Sequence, residues 1–312
     1  MIEIFVNLKR FEVPRGKGGI CDFENPQEWM EYVIDKCIAF GIGKFSKIRV
    51  TFLLPEALIL AAKNRLNSYS SDTVGALEIG SQGVFREDIK TGVNFGAFTT
   101  NFPAAAVKNL GCTWSIIGHS EERTDKLNML ASFEPAVNKD PEIYKKAHKT
   151  VGKLINQEVL CALNAGINVL ICVGETAGER GEGVFAEQKS RIEAALKSQL
   201  LTGLEGVRSR LDKRKIVIGY EPVWAIGPGK VPPGGEYIEY VSKYIKNIVK
   251  QYFGFNPPVV YGGGLKEENA SMLSGIETID GGLVALTRFS GDIRFEPEDL
   301  KKIIEKYLGK LQ

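Results

Sequence analysis

The sequence predicts an α/β fold, specifically a closed (β/α)8 barrel. Short β-branched runs alternate with longer amphipathic stretches along the whole 312-residue chain, which gives eight βα units. Several of the runs are apolar almost throughout, for example 167–173, as is typical of parallel strands covered on both faces. A doubly wound open sheet would show the same alternation, but eight units favour the barrel. No Pro/Ser-rich linker divides the chain, so we expect one domain over residues 1–312.

Each element is assigned from its own pattern, β-branched and apolar for strands and amphipathic for helices. The predicted strands cover 2–8, 47–54, 73–80, 113–118, 167–173, 215–220, 258–261 and 278–286. The predicted helices cover 26–40, 56–66, 104–110, 141–164, 184–201, 236–252, 267–273 and 297–308.

Three stretches are long for plain connections: 11–25, 82–98 and 124–140. Loops of that length within a compact domain usually have a function or contain insertions. We therefore predict one barrel with insertions near these three segments.

Composition excludes several classes of protein. The 40 Lys and Arg residues balance 38 Asp and Glu residues, so nothing calls for a nucleic-acid or membrane partner. No apolar run approaches the roughly 18 residues of a membrane-spanning helix, and the N-terminus resembles a strand rather than a secretory signal. Five cysteines without a C-x-x-C pair indicate free thiols in a reducing cytoplasm, and with only two histidines they argue against a metal site.

Polar side chains follow several of the predicted strands. Asn7 and Lys9 follow the first strand, His119 the fourth and Glu221 the sixth. In a barrel the carboxyl ends of the strands form one rim, where catalytic groups project. We therefore expect an amide, an ammonium, an imidazole and a carboxylate to share one site.

The strings at these strand ends resemble those of triosephosphate isomerase, the family after which the TIM barrel is named. They occur in the family's order over essentially the whole chain, and EPVWAIGxGK is highly specific to it. The strings are VNLK, NFGAFTTN, IIGHSEERT, CVGET, GYEPVWAIGPGK, YGGG and DGGLV.

The resemblance implies a role for each polar residue. Glu221 matches the general base, and His119 matches the neutral imidazole that polarises the carbonyl. Lys9 matches the ammonium that attracts the anionic substrate, and Asn7 matches an amide that positions it. Cys172 matches a buried structural cysteine. The reaction needs a base and an electrophile on opposite sides of a planar enediol, so no cofactor or metal is expected.

The resemblance also implies a lid that keeps water from the enediolate intermediate. It begins at Pro222 and ends at Lys230. Pro228 within it, and the prolines at 232 and 233 after it, predict a stiffer lid than in relatives. The second histidine, His148, lies in a Lys-rich helical stretch and is predicted to be solvated.

Phosphate recognition departs from the family pattern. Gly227 and Gly264 match loops whose backbone N–H groups hold the phosphate. After strand eight, however, the family's Gly-Gly pair is replaced by Ala285 and Leu286, and Leu286 brings a bulky side chain. Arg288 offers a guanidinium as a substitute phosphate ligand. Further departures, at Thr100, Asn101 and Glu122, point to altered substrate recognition or subunit contact.

The resemblance therefore implies a cytoplasmic isomerase that interconverts an aldose phosphate and a ketose phosphate through an enediolate. The leading substrate pair is glyceraldehyde 3-phosphate and dihydroxyacetone phosphate, in glycolysis and gluconeogenesis, and the implied partner is a second copy in a homodimer formed through loop 82–98. Three alternatives stay open: a tetrulose phosphate isomerase acting, for example, on L-erythrulose 1-phosphate, a catalytically silent phosphate-binding barrel, and an aldolase that uses Lys9 as a Schiff-base nucleophile.

Overall fold

A computed structural model describes residues 1–213, 215–227, 229–289 and 291–309. Eight parallel strands close into a barrel in sequence order, and the eighth pairs with the first. The strands are β1 (Ile2–Asn7), β2 (Ile48–Leu54), β3 (Leu77–Ser81), β4 (Trp114–Ile117), β5 (Asn168–Val173), β6 (Ile216–Tyr220), β7 (Val259–Tyr261) and β8 (Gly281–Val284).

Helices lie between the strands and surround the barrel. They are α1 (Pro26–Ala39), α2 (Glu56–Asn67), α3 (Ser71–Val74), α4 (Ala104–Asn109), α5 (Ser120–Phe133), α6 (Pro141–Asn164), α7 (Ala177–Arg180), α8 (Phe185–Gly203), α9 (Gly235–Phe253), α10 (Glu267–Ser274) and α11 (Pro297–Tyr307). The predicted (β/α)8 barrel is therefore confirmed.

The alternation of side chains along each strand divides the core into two layers. One apolar cluster includes Phe5, Trp114 and Cys172, and the larger cluster joins alternate strand residues such as Ile4 and Val6 to the helices. The rings of Phe5 and Trp114 meet edge to face, with centroids 5.0 Å apart. Cys172 is fully buried, as expected of a structural cysteine.

Two predicted strands differ from the observed ones. Residues 73 and 74, predicted as strand, belong to the short helix α3, and β3 begins only at Leu77. β8 ends at Val284, so that Ala285 and Leu286 lie beyond it. β-branched residues occur on both sides of each boundary, so composition alone does not locate the end of backbone pairing.

The stretch 124–140, predicted as a long connection, is mostly helical. α5 runs to Phe133, and a 3₁₀ turn covers Pro135–Asn138. No residue of α5 is buried. Its side chains against the core include Leu127 and Leu130, which are only half-buried. Such a narrow apolar stripe gives a weak signal for sequence assignment.

The stretch 11–25 contacts a segment that follows β8 and is described at 287–289 and 291–294. The backbones of Arg288 and Arg294 form an isolated antiparallel β-bridge. Four charged side chains join this segment to the stretch 11–25. Arg15 contacts Asp22 and Asp292, and Arg294 contacts the same two carboxylates. We call Arg15, Asp22, Asp292 and Arg294 the ionic cluster.

Residues 82–103, between β3 and α4, contain no helix or strand. The side chains of Val93 and Phe95 in this loop are 69% and 84% exposed. Within the described ranges, no helix has both the length and the hydropathy needed to cross a bilayer.

Candidate active site

A cavity of about 640 Å³ opens at the carboxyl ends of the strands. Such a volume is typical of sites for small molecules. Eight of the nine predicted site residues line it: Asn7, Lys9, His119, Glu221, Gly227, Gly264, Ala285 and Leu286. The rim expected from the strand ends is therefore the wall of one cavity.

Glu221 follows β6 and is 2% exposed. One carboxylate oxygen accepts the backbone N–H of Ser120 at 3.0 Å, and the other lies 3.1 Å from Nε2 of His119. A Cβ on Gly174 would lie 1.7 Å from the carbonyl oxygen of Glu221, so only glycine allows this close approach. Burial raises the pKa of the Glu221 carboxyl against the opposing effect of His119.

His119 precedes the first turn of α5. Its Nδ1 accepts the backbone N–H of Glu121 at 3.4 Å. An imidazole that accepts a hydrogen bond at Nδ1 holds its proton at Nε2, which faces Glu221. The cavity therefore holds a buried base beside a ring N–H donor.

Asn7 and Lys9 are linked by a strained turn after β1. Lys9 has a φ of 43°, which is uncommon for a residue with a side chain, and its backbone N–H donates to Oδ1 of Asn7 at 3.1 Å. The Lys9 ammonium is paired with Glu121.

Gln82, after β3, was not among the predicted site residues, although it holds this turn. Its amide donates to Oδ1 of Asn7 at 3.2 Å and to the carbonyl of Lys9 at 3.0 Å. The signal that identifies Gln82 is the strand-end rule that selected Asn7, applied to the third strand.

The base of the predicted lid is fixed by one buried carboxylate. Glu175 accepts hydrogen bonds at the same oxygen from Tyr220 at 3.0 Å, Trp224 at 2.7 Å and Tyr237 at 2.7 Å. Burial raises the pKa of Glu175, although the hydrogen bonds from these three donors act to lower it. Pro228, the residue predicted to stiffen the lid, lies outside the described residues.

Glu122, one of the departures from the family pattern, contacts its own chain. It accepts the backbone N–H of Gly118, the residue directly before His119, at 2.6 Å. It also pairs with Lys126 at 2.6 Å. Lys126 also lies 3.0 Å from Glu158. Burial and the neighbouring Glu122 raise the pKa of Glu158 to about 9. Glu122 is therefore a support for the His119 turn.

The structure does not bring Arg288 into the cavity. Its guanidinium donates to Asp299 at 2.6 Å, and Arg288 is not among the cavity-lining residues. The geometry therefore gives no support to the predicted phosphate role of Arg288, which stays a prediction. A carboxylate on α11, eleven residues further along the chain, competes for the guanidinium.

His148, predicted to be solvated, is half-buried. Its ring lies against Tyr144 with centroids 4.1 Å apart, and its Nδ1 is 3.6 Å from Glu179. Burial lowers the pKa of His148 despite this carboxylate. The Lys-rich sequence around it faces solvent, but His148 itself faces α7.

Within the part of the chain that the structure describes, no group of three or more His, Cys, Asp or Glu side chains is arranged to hold a metal ion. The five cysteines are free thiols, four of them buried.

Known proteins match this chain in sequence and in structure. The triosephosphate isomerase family model matches residues 46–306. Triosephosphate isomerase of Chloroherpeton thalassium is 33% identical over 234 residues, which is 74% of this chain and 76% of that protein. The corresponding protein of Chlorobium phaeovibrioides is 34% identical over 214 residues, 67% of this chain and 70% of its own length.

A crystal structure of triosephosphate isomerase from Bartonella henselae has the same fold. It superimposes with a TM-score of 0.64 at 22% sequence identity and covers 98% of this chain and 99% of its own. Since the family match spans most of the chain and the strand-end residues meet in one cavity, the chain belongs to the triosephosphate isomerase family of enzymes.

Proposed function

We propose that this enzyme interconverts an aldose phosphate and a ketose phosphate by proton transfer through an enediolate. The observation that carries the proposal is the pair of Glu221 and His119 in one cavity, with a buried carboxylate 3.1 Å from a ring nitrogen. A base that must take a proton from carbon works best with a pKa above that of an ordinary carboxylate, and burial shifts Glu221 in that direction.

In the proposed mechanism, Glu221 removes a proton from the carbon next to the substrate carbonyl. The Nε2–H of His119 donates a hydrogen bond to the oxygen on which negative charge develops. The same proton returns to the neighbouring carbon while the hydroxyl proton moves between the two oxygens, so no external oxidant or reductant takes part. A neutral imidazole at a helix start is an arrangement for which triosephosphate isomerase is itself the standard example.

Substrate binding requires one local movement. Glu221 and His119 are in direct contact, so their contact must open for a substrate carbon to lie against the base and its oxygen against the ring N–H. The backbone N–H of Ser120 and the side chain of His119 hold Glu221 in its resting position. Closure of the lid at Trp224 then excludes water.

The remaining alternatives fit the cavity less well. A Schiff-base aldolase needs an unprotonated lysine in a desolvated site, whereas the Lys9 ammonium is paired with Glu121. A silent binding barrel would not need a buried carboxylate beside an imidazole, which is a costly arrangement without a chemical role.

For the substrate we propose triose phosphate, with a tetrulose phosphate as the second candidate. The second candidate is favoured by one observation: three apolar side chains that follow β8, Leu286, Phe289 and Ile293, form an apolar wall of the cavity. Such a wall changes the shape of the space for the substrate tail. We further propose that the enzyme acts in the cytoplasm, in glycolysis and gluconeogenesis.

An isomerase assay across triose, tetrulose and pentulose phosphates tests this proposal. We expect turnover of one of them to exceed the others by at least about tenfold, since one methylene in a shaped pocket gives about that discrimination. No turnover of any of these compounds by the folded protein would contradict the proposed function.

We also propose that two copies pair through loop 82–98. Support comes from the exposed apolar side chains of Val93 and Phe95, because large exposed apolar groups on one loop are typical of contact sites. Sedimentation velocity should show a dimer for the wild-type protein and a monomer for Phe95→Asp. A monomeric wild-type protein would contradict the proposed pairing.

A further inference from the structure

Lys266 is a charged group in the cavity that the proposed mechanism does not use. It follows Gly264 by two residues, lines the same cavity, and is half-buried. A Cβ placed on Gly264 would lie 3.8 Å from Cε of Lys266, so the lysine side chain passes over this glycine. Lys266 therefore lies beside the loop that matches the family's phosphate site.

The ammonium of Lys266 is held by an aromatic ring rather than by a carboxylate. It lies 3.7 Å from the centroid of the Phe289 ring. Among the described residues, no acidic side chain forms an ion pair with it. By contrast, the cations of Lys9 and Arg288 are paired with Glu121 and Asp299. A cation–π contact positions an ammonium without neutralising its charge, so Lys266 keeps its capacity to bind an anion.

Phe289 is positioned by the segment that follows β8. The bridge between Arg288 and Arg294 shapes this segment, and the ionic cluster ties it to residues 11–25. Two of the segment's apolar side chains, Phe289 and Ile293, reach the cavity together with Leu286. The segment that contributes these apolar side chains to the cavity therefore also carries the ring that holds Lys266.

We propose that Lys266 binds the phosphate dianion of the substrate, and that Phe289 is a positioning residue that holds the ammonium at the cavity wall. The inference rests on the proposed function, because it assigns the phosphate end of that same substrate. Leu286 introduces a bulky apolar group where the family brings its backbone close to the phosphate, and Arg288 is occupied by Asp299. An ammonium over Gly264 supplies the charge that these two positions do not.

Lys266→Met tests the proposal by calorimetric titration with inorganic phosphate and by steady-state kinetics. We expect phosphate affinity to fall about 10- to 100-fold and KM to rise by a similar factor, as for the loss of one charged hydrogen bond. Lys266→Arg should stay within about threefold of the wild type, because it keeps the charge. Lys243→Met, an exposed lysine of α9 outside the cavity, is the matched control for net charge.

Phe289→Leu keeps an apolar side chain but removes the aromatic face. We expect a smaller loss of phosphate affinity, about two- to fivefold, since the ammonium remains but loses its positioning contact. An unchanged phosphate affinity in folded Lys266→Met, or an equal loss in Lys243→Met, would overturn the proposal. A wild-type protein that binds no phosphate would also overturn it.

The two proposals fail in different ways. Titration with phosphate needs no turnover, so a Lys266-dependent affinity without any isomerase activity would contradict the proposed function and leave the role of Lys266 standing. Normal isomerase kinetics in Lys266→Met would leave the proposed function standing and overturn the role of Lys266.

Discussion

The two ends of the cavity are built on different principles. The end at β4 and β6 is polar, buried and fixed by short-range hydrogen bonds, with Glu221 held by Ser120 and His119. The end at β7 and β8, which we call the apolar end, has Leu286 and Phe289 in its wall, beside the ammonium of Lys266. At the first end His119 and Glu221 match the family, whereas at the second Leu286 departs from it. We therefore expect the family's chemistry at the first end and a recognition of the substrate tail that is specific to this chain at the second.

The largest effect on catalysis is expected from a substitution at the polar end of the cavity. Glu221→Gln should reduce kcat by about a thousandfold, within the range for removal of a general base. In the wild type, kcat/KM should fall as the pH is lowered through the pKa of Glu221, which burial raises above its ordinary value.

The same substitution should stabilise the fold. A carboxyl whose pKa is raised on folding contributes stability only at low pH, and the charged form is a cost at higher pH. Glu221→Gln should therefore melt higher than the wild type at pH 8, with the difference vanishing below about pH 4. Glu239→Gln, exposed on α9, is the control. If Glu221→Gln melts at a lower temperature than the wild type at pH 8, burial of the Glu221 charge does not destabilise the fold.

His119→Gln should reduce kcat by about 100- to 1000-fold, the range for loss of one hydrogen-bond donor to a developing oxyanion. His148→Gln removes the other histidine of the chain, which lies outside the cavity, and should leave kcat unchanged. Equal kinetics of the two variants would show that the polar end is not the catalytic end.

Leu286→Gly tests the apolar end. Removing this side chain should change the ratio of kcat/KM between triose and tetrulose phosphates by about tenfold, with a smaller change in Leu286→Ala. The acid limb of the pH profile should not move, because Glu221 is untouched. If the ratio of kcat/KM between the two substrates is the same in the wild type, Leu286→Gly and Leu286→Ala, the apolar wall does not control recognition of the substrate tail.

The smallest effect on catalysis is expected from Glu158, which lies behind the polar end of the cavity. Between pH 5 and 9 the wild type should lose stability as the pH rises, because the unfolded chain ionises Glu158 while the folded chain keeps it protonated up to about pH 9. Glu158→Gln should flatten this dependence in urea denaturation and leave kcat unchanged. Glu142→Gln, exposed on the same helix, should keep the wild-type slope. Glu221 contributes a slope of the same sign, so some dependence should remain in Glu158→Gln; a slope as steep as that of the wild type would contradict the contribution of Glu158.

Prediction from sequence succeeded where the signal is local. Strand periodicity located the barrel, and the strand-end rule located Asn7, His119 and Glu221 in one cavity. It failed for α5, whose apolar stripe is narrow because its side chains against the core are only half-buried. It also failed for His148, whose packing against Glu179 across 31 positions of sequence is not visible in the Lys-rich stretch around it.

The sequence by itself determined the barrel and the positions of Asn7, His119 and Glu221 at its rim, because each lies in a short string whose place at a strand end follows from the fold class. Only the tertiary structure decided which partners these groups have. It placed Gln82 on Asn7, directed Arg288 to Asp299 and set Lys266 on Phe289. Such pairings depend on distances between loops of different βα units. The rigid barrel fixes those distances, and no local pattern of residues reports them.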